Sequence, residues 1–154
     1  KSIARTPGGG AGAGDGARGA VEARPGSEVG LWEKVAVVCA LSVLCAIGER
    51  NMGSVRGHPL GADLQRQAIS EVFDVGRAHG VSIPPDAEAR IGERLDRFPA
   101  DFSPSVIHDL NQGRPTEMAD LGGEIGRRGR AAGISTPLHD AGTLIVQVAE
   151  AASR

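Results

Sequence analysis

Aromatic side chains make up only 3% of this 154-residue chain, with three Phe, one Trp (Trp32) and no Tyr. A platform on which nucleic-acid bases could stack is therefore not expected. Charge of one sign is equally lacking: 17 Lys and Arg stand against 19 Asp and Glu, a net charge of −2. That balance supplies no electrostatic drive toward nucleic acid or an anionic membrane. Cysteine is scarce, limited to Cys39 and Cys45. Six positions apart on one helix, the two thiols point roughly 120° apart and cannot easily pair. Unpaired thiols in an apolar segment fit a reducing compartment, so the expected location is cytoplasmic. No His or Lys is arranged around either one to make a reactive thiolate. The longest apolar run, Val35 to Ile47, has 13 residues, whereas a membrane span needs about 20. It reads as a buried core helix. No signal peptide is visible at the start.

What is abundant is glycine, 23 residues, of which 9 fall in the first 30 positions. Residues 1–26 read as a flexible Gly-rich lead. They contain one formal dinucleotide fingerprint, Gly14-Asp-Gly-Ala-Arg-Gly19. Nothing before Gly14 reads as a strand, so the motif lacks the context it needs. The start at Lys1 and this lead suggest a fragment of a longer protein, with residues 27–154 as its helical domain.

From Ser27 onward the pattern is helical. Helix-forming periodicity is expected over about 29–48, with apolar residues on almost every side. A polar loop is expected from Gly48 to Gly57. A second helix spans about 61–79, with Leu64, Ala68, Ile69, Val72, Phe73 and Val75 as its stripe and Gly80 as its stop. Pro84-Pro85-Asp86 opens a third, with Ala87, Ile91 and Leu95 inward. A fourth runs from Pro104 to about Gln112, capped by Ser103 and closed by Gly113. A fifth is expected from Thr116 to Ala132. Thr136-Pro137 opens a sixth, with Leu138, Ala141, Leu144, Ile145, Val148 and Ala152 inward. No segment alternates as a strand would. The expected class is an all-α multi-helix bundle.

Three polar residues are candidates for chemistry. Lys34 stands near the front of the first long helix, where an ammonium can deliver a proton to a developing alkoxide. Ser105 and Glu117 come from neighbouring helix starts. Each residue also has an ordinary reading, as a solvated helix-edge lysine, a capping hydroxyl and a first-turn acid. His58, His79, His108 and His139 are scattered, with no His-x-x-x-His pair, and no metal site is indicated.

Two blocks resemble the C-terminal helical domain of the ketopantoate reductases (2-dehydropantoate 2-reductases). One is Leu31-Trp-Glu-Lys-Val-Ala-Val-Val-Cys-Ala-Leu-Ser42, similar to the family's Trp-x-Lys helix. The other runs from Ser103 through Gly113-Arg-Pro-Thr-Glu117 to Ala131-Ala-Gly-Ile-Ser-Thr-Pro137. Between them, Ile69 to Val81 is similar to the family's Glu-Val…Ala-x-Gly-Val segment. The resemblance implies the 6-phosphogluconate dehydrogenase C-terminal-domain-like fold. It implies an NADPH-dependent oxidoreductase of pantothenate biosynthesis that reduces ketopantoate or a related 2-oxo acid to a 2-hydroxy acid. It implies Lys34 as the general acid and Ser105, Glu117 and Ser42 as substrate-binding residues. NADPH would be bound mainly by an N-terminal Rossmann domain that this chain lacks, so the chain alone is expected to be inactive. The small-molecule 2-oxo acid and that domain are the implied partners, with room for a homodimer.

The sequence departs from the family pattern at its asparagines. Val38 and Ser42 stand four and eight residues after Lys34, where the family has asparagines. A further family asparagine falls near Met52, with Asn51 one position away. An amide replaced by Val leaves polar substrate groups unpaired, a cost of about 1–3 kcal/mol. A related substrate is one consequence. The other reading these departures leave open is a non-catalytic helical association module or a degenerate copy of the domain.

Overall fold

In a computed structural model, which describes residues 27–49 and 51–153, seven α-helices follow one another without a strand among the described residues. They are α1 (Glu28–Ile47), α2 (Met52–Gly57), α3 (Gly61–Ala78), α4 (Ala87–Asp96), α5 (Ser105–Asn111), α6 (Gly122–Ala132) and α7 (Pro137–Ala152). The all-helical class expected from the sequence is the one observed. The Gly-rich lead and its Gly14–Gly19 motif lie outside the described residues.

The first long helix is central because its composition leaves it no polar face in its second half. Ser27 caps it, its hydroxyl accepting from the N–H of Gly30 at 3.0 Å. Every residue from Cys39 to Ala46 is then buried. α3 and α7 both pack on it, and α2, α4, α5 and α6 also reach it. By length and composition alone α1 could cross a membrane. The apolar surface of its second half, Cys39 to Ala46, is taken up by packing within the domain. The two thiols are free and enclosed in this core. Burial pushes Cys39 up to about 12 and Cys45 up to about 11, which keeps both protonated and unreactive.

Trp32 fixes the roll of α1. A Cβ placed on Gly76 of α3 would meet the Trp32 ring at 3.0 Å and Ile83 Cδ1 at 2.7 Å. The indole therefore lies against a helix that has given up its side chain there. Two residues on, about 200° round the helix, Lys34 faces solvent. A second close approach joins α1 to α7. A Cβ on Gly142 would stand 2.8 Å from Val43 Cβ and 3.0 Å from its Cα.

Four local expectations differ from the structure. Gly48–Gly57, read as a loop, contains α2. Asn51 caps it by accepting from the N–H of Ser54 at 3.0 Å, and Met52 and Gly53 donate to the carbonyls of Phe102 (3.0 Å) and Ala100 (2.7 Å). Tertiary bonds thus support a helix of six residues that could not stand alone. The fourth expected helix starts one residue late, at Ser105, with Pro104 rather than Ser103 at its cap. The fifth begins at Gly122, not Thr116, because residues 117–121 form turns. The last helix is rolled away from its apolar stripe. His139, Gly142 and Val146 face inward, while Leu144 and Val148 are 63% and 60% exposed. The cause is the polar anchor at its start, described next.

Candidate active site

The N-terminus of α7 receives a carboxylate from another helix. Thr136 makes no side-chain cap bond. Glu71 of α3 accepts instead from the N–H of Leu138 at 3.0 Å and of His139 at 3.1 Å. Its Oε2 also lies 2.6 Å from Nδ1 of His139, and Gln67 Nε2 donates to Oε1 at 3.2 Å. Burial opposes the charge on Glu71. The His139 side-chain bond and the two backbone bonds outweigh that cost and hold its carboxyl below the usual range. Acid at a helix start satisfies orphan donors and the dipole together. His139 Nε2 is buried with no partner among the described residues. This pair is 68 residues apart in sequence, and nothing local to either residue announces it. The arrangement is sealed, so it holds the fold and offers nothing to a substrate.

The candidates drawn from the sequence lie elsewhere. Lys34 is exposed on α1. Val38 and Ser42 follow at four-residue spacing and so share its face. Val38 is half-buried and Ser42 is 1% exposed, so this face runs from open to sealed over two turns. Along the axis Lys34 and Ser42 are about 12 Å apart. A cleft of about 150 Å³ between Leu31, Trp32, Val35 and Arg128 lies further round α1, and Lys34 does not line it. Ser105 is exposed at the first position of α5, a helix that packs on α1.

Glu117 is exposed in the turn that precedes α6. That turn is held at several points. Gly113 takes φ +65°, a left-handed conformation suited to glycine after a helix. The Arg114 N–H donates to Asp109 O at 2.8 Å, and its Nε to Asp109 Oδ1 at 3.0 Å. The Thr116 N–H donates to Glu150 Oε1 at 2.6 Å. Met118 is fully buried, and its N–H donates to Thr116 Oγ1 at 3.3 Å. A Cβ on Gly122 would meet Val43 Cγ1 at 3.1 Å and Met118 Sδ at 3.2 Å. The residues next to Ser42 and to Glu117 thus converge on Gly122.

The structure therefore brings the Ser42 turn of α1 to the Glu117 turn, with Lys34 two helical turns further out. It does not join them: no hydrogen bond or ion pair links the side chains of Lys34, Ser42, Ser105 and Glu117. Asn51 Oδ1 is engaged in capping α2, and Met52, fully buried, carries no side-chain amide. Among the described residues no group of His, Cys, Asp and Glu is placed to hold a metal. Nor do they offer the strand–glycine loop–helix cradle that a dinucleotide needs.

This helical frame has a recognisable kinship. Residues 28–150 match the family described as Ketopantoate reductase PanE/ApbA C terminal. The chain belongs to that family. It is 29% identical over 125 residues to 2-dehydropantoate 2-reductase of Mycobacterium tuberculosis, a match covering 81% of this chain and 42% of that protein. A solved ketopantoate reductase of the PanE/ApbA family from Ralstonia eutropha shares the fold with a TM-score of 0.71. It is 32% identical, over 80% of this chain and 41% of that one. D-mandelate dehydrogenase, solved with NADH, has a TM-score of 0.71 at 23% identity over 82% of this chain and 43% of its own. The chain spans about two fifths of the length of the curated relatives it matches.

Proposed function

We propose that this chain is the substrate-binding and catalytic helical domain of a 2-dehydropantoate 2-reductase-like oxidoreductase. The whole enzyme reduces ketopantoate or a related 2-oxo acid to a 2-hydroxy acid, a step of pantothenate biosynthesis. The observation that carries this reading is the family match over residues 28–150 together with Lys34 standing open on the family's Trp-x-Lys helix. An N-terminal Rossmann domain would complete the site, in a cytoplasmic enzyme with the option of a homodimer. The cofactor is a nicotinamide nucleotide, read as NADPH and bound by that domain. When bound, it supplies the hydride.

What this chain's own residues do follows from their placement. The Lys34 ammonium protonates the carbonyl oxygen as negative charge develops there. Ser105 donates a hydrogen bond to the substrate, and Glu117 accepts one from a substrate hydroxyl. Ser42 bounds the site from its buried floor. Lys34 and Glu117 make no contact in this structure, so substrate and the second domain are the elements that would draw them together.

The test is an assay of the full-length protein with NADPH and a panel of 2-oxo acids including ketopantoate. Reduction is expected, with a loss of about 10²–10⁴ in kcat for Lys34→Ala. Reduction that survives Lys34→Ala undiminished overturns the role of Lys34, and no turnover of any 2-oxo acid overturns the reading.

A further inference from the structure

Glu117 projects from a turn, not from a helix, since α6 begins five residues later at Gly122. Its side chain is exposed and meets no described residue that would hold it. Its orientation therefore depends on what fixes the backbone on either side. On the C-terminal side the anchor is the buried Met118. On the N-terminal side Pro115 has no N–H, and the bonds of Arg114 to Asp109 are local to the end of α5. The bond that ties this side of the turn to a distant element is the one from the Thr116 N–H to Glu150 Oε1, at 2.6 Å and 34 residues away in sequence. A carboxylate accepting from a backbone N–H forms a short, charge-assisted bond. This one is partly buried, where it is less screened than on the open surface. The last full turn of α7 lies against the same segment, and a cleft of about 120 Å³ between Glu150, Ser153, Pro115 and Leu110 marks the contact.

We infer that Glu150 is a positioning residue for substrate binding: it clamps the Thr116 amide and so sets where the Glu117 carboxylate meets the substrate. The inference rests on the proposed role of Glu117. It explains why the Gly-Arg-Pro-Thr-Glu segment needs a fixed acceptor on the C-terminal helix, although neither residue alone suggests the pairing. A misplacement of about 1 Å at a binding group is enough to cost up to a hundredfold in turnover efficiency.

The experiment uses Glu150→Ala, Glu150→Gln and Glu117→Ala in the full-length protein, and their combinations, with helicity checked by circular dichroism. Glu150→Ala should raise KM for the 2-oxo acid about tenfold or more and leave KM for the nicotinamide cofactor unchanged. Glu150→Gln keeps an acceptor oxygen and should restore most of the loss. In a Glu117→Ala background, Glu150→Ala should cost nothing further, because its effect passes through Glu117. Hydrogen exchange at the Thr116 amide should quicken in Glu150→Ala and stay slow in Glu150→Gln.

Three results overturn the inference. One is an unchanged substrate KM in Glu150→Ala while Glu117→Ala is impaired, which leaves the role of Glu117 standing. Another is an equal loss with and without Glu117. The third is unaltered exchange at Thr116. Full activity in Glu117→Ala overturns the role of Glu117 and the inference with it.

Discussion

Nδ1 of His139 lies 2.6 Å from Oε2 of Glu71, both side chains enclosed where α7 begins against α3. The same carboxylate receives two backbone N–H groups of α7. One residue of α3 therefore caps a helix, pairs with a buried imidazole and sets the roll of α7, which turns Leu144 and Val148 outward.

Glu71→Gln should destabilise the domain by about 2–3 kcal/mol, since it strips charge from bonds whose donors stay buried. Chemical denaturation at neutral pH measures this. The Glu71 carboxyl titrates lower in the folded chain than its ordinary 4.5. Its contribution is thus complete above 4.5 and is lost as pH falls through the lower folded value. The wild type should weaken over that acid window more than Glu71→Gln does. Parallel acid profiles of the two would disprove the assignment.

Lys34→Ala should leave stability within about 0.5 kcal/mol of wild type, because the side chain is exposed and forms no bond with a described residue. Loss of activity without loss of melting temperature is the expected combination. A large drop in melting temperature would mean that Lys34 serves the fold.

Val38→Asn restores an amide one turn after Lys34, on a half-buried position that admits a polar group. The preference for ketopantoate over 2-oxo acids lacking a hydroxyl should rise about tenfold, the worth of one well-placed hydrogen bond. Competition between two substrates reads this ratio directly. No change would show that position 38 lies outside the substrate's reach.

Gly142→Ala should cost about 1–3 kcal/mol, because its Cβ would stand 2.8 Å from Val43 Cβ and 3.0 Å from a backbone carbon that cannot rotate away. Gly92→Ala meets nothing within 4 Å and should be neutral or slightly stabilising, as alanine is the better helix former. Thermal melts of the pair separate close packing from helix propensity.

Much of this was legible in the chain. Helix α3 carries Ala68, Ile69, Val72, Phe73 and Val75 buried, as their spacing predicts, and Gly80, Gly113 and Gly133 take the positive φ that stops a helix. These signals are local: a period of 3.6 residues and a missing Cβ act within a few positions of themselves. The blocks around Lys34 and Glu117 also identify the family without coordinates. What the chain could not disclose is contact between distant segments. α2 depends on carbonyls at Ala100 and Phe102, and the face α7 presents depends on Glu71 and Gly142. The Glu117 turn depends on Glu150, 34 positions beyond Thr116. Periodicity reports how an isolated helix would bury its apolar side. A buried carboxylate that must satisfy backbone donors, and a glycine that lets two helices touch, outweigh that preference, and both exist only once the chain has folded.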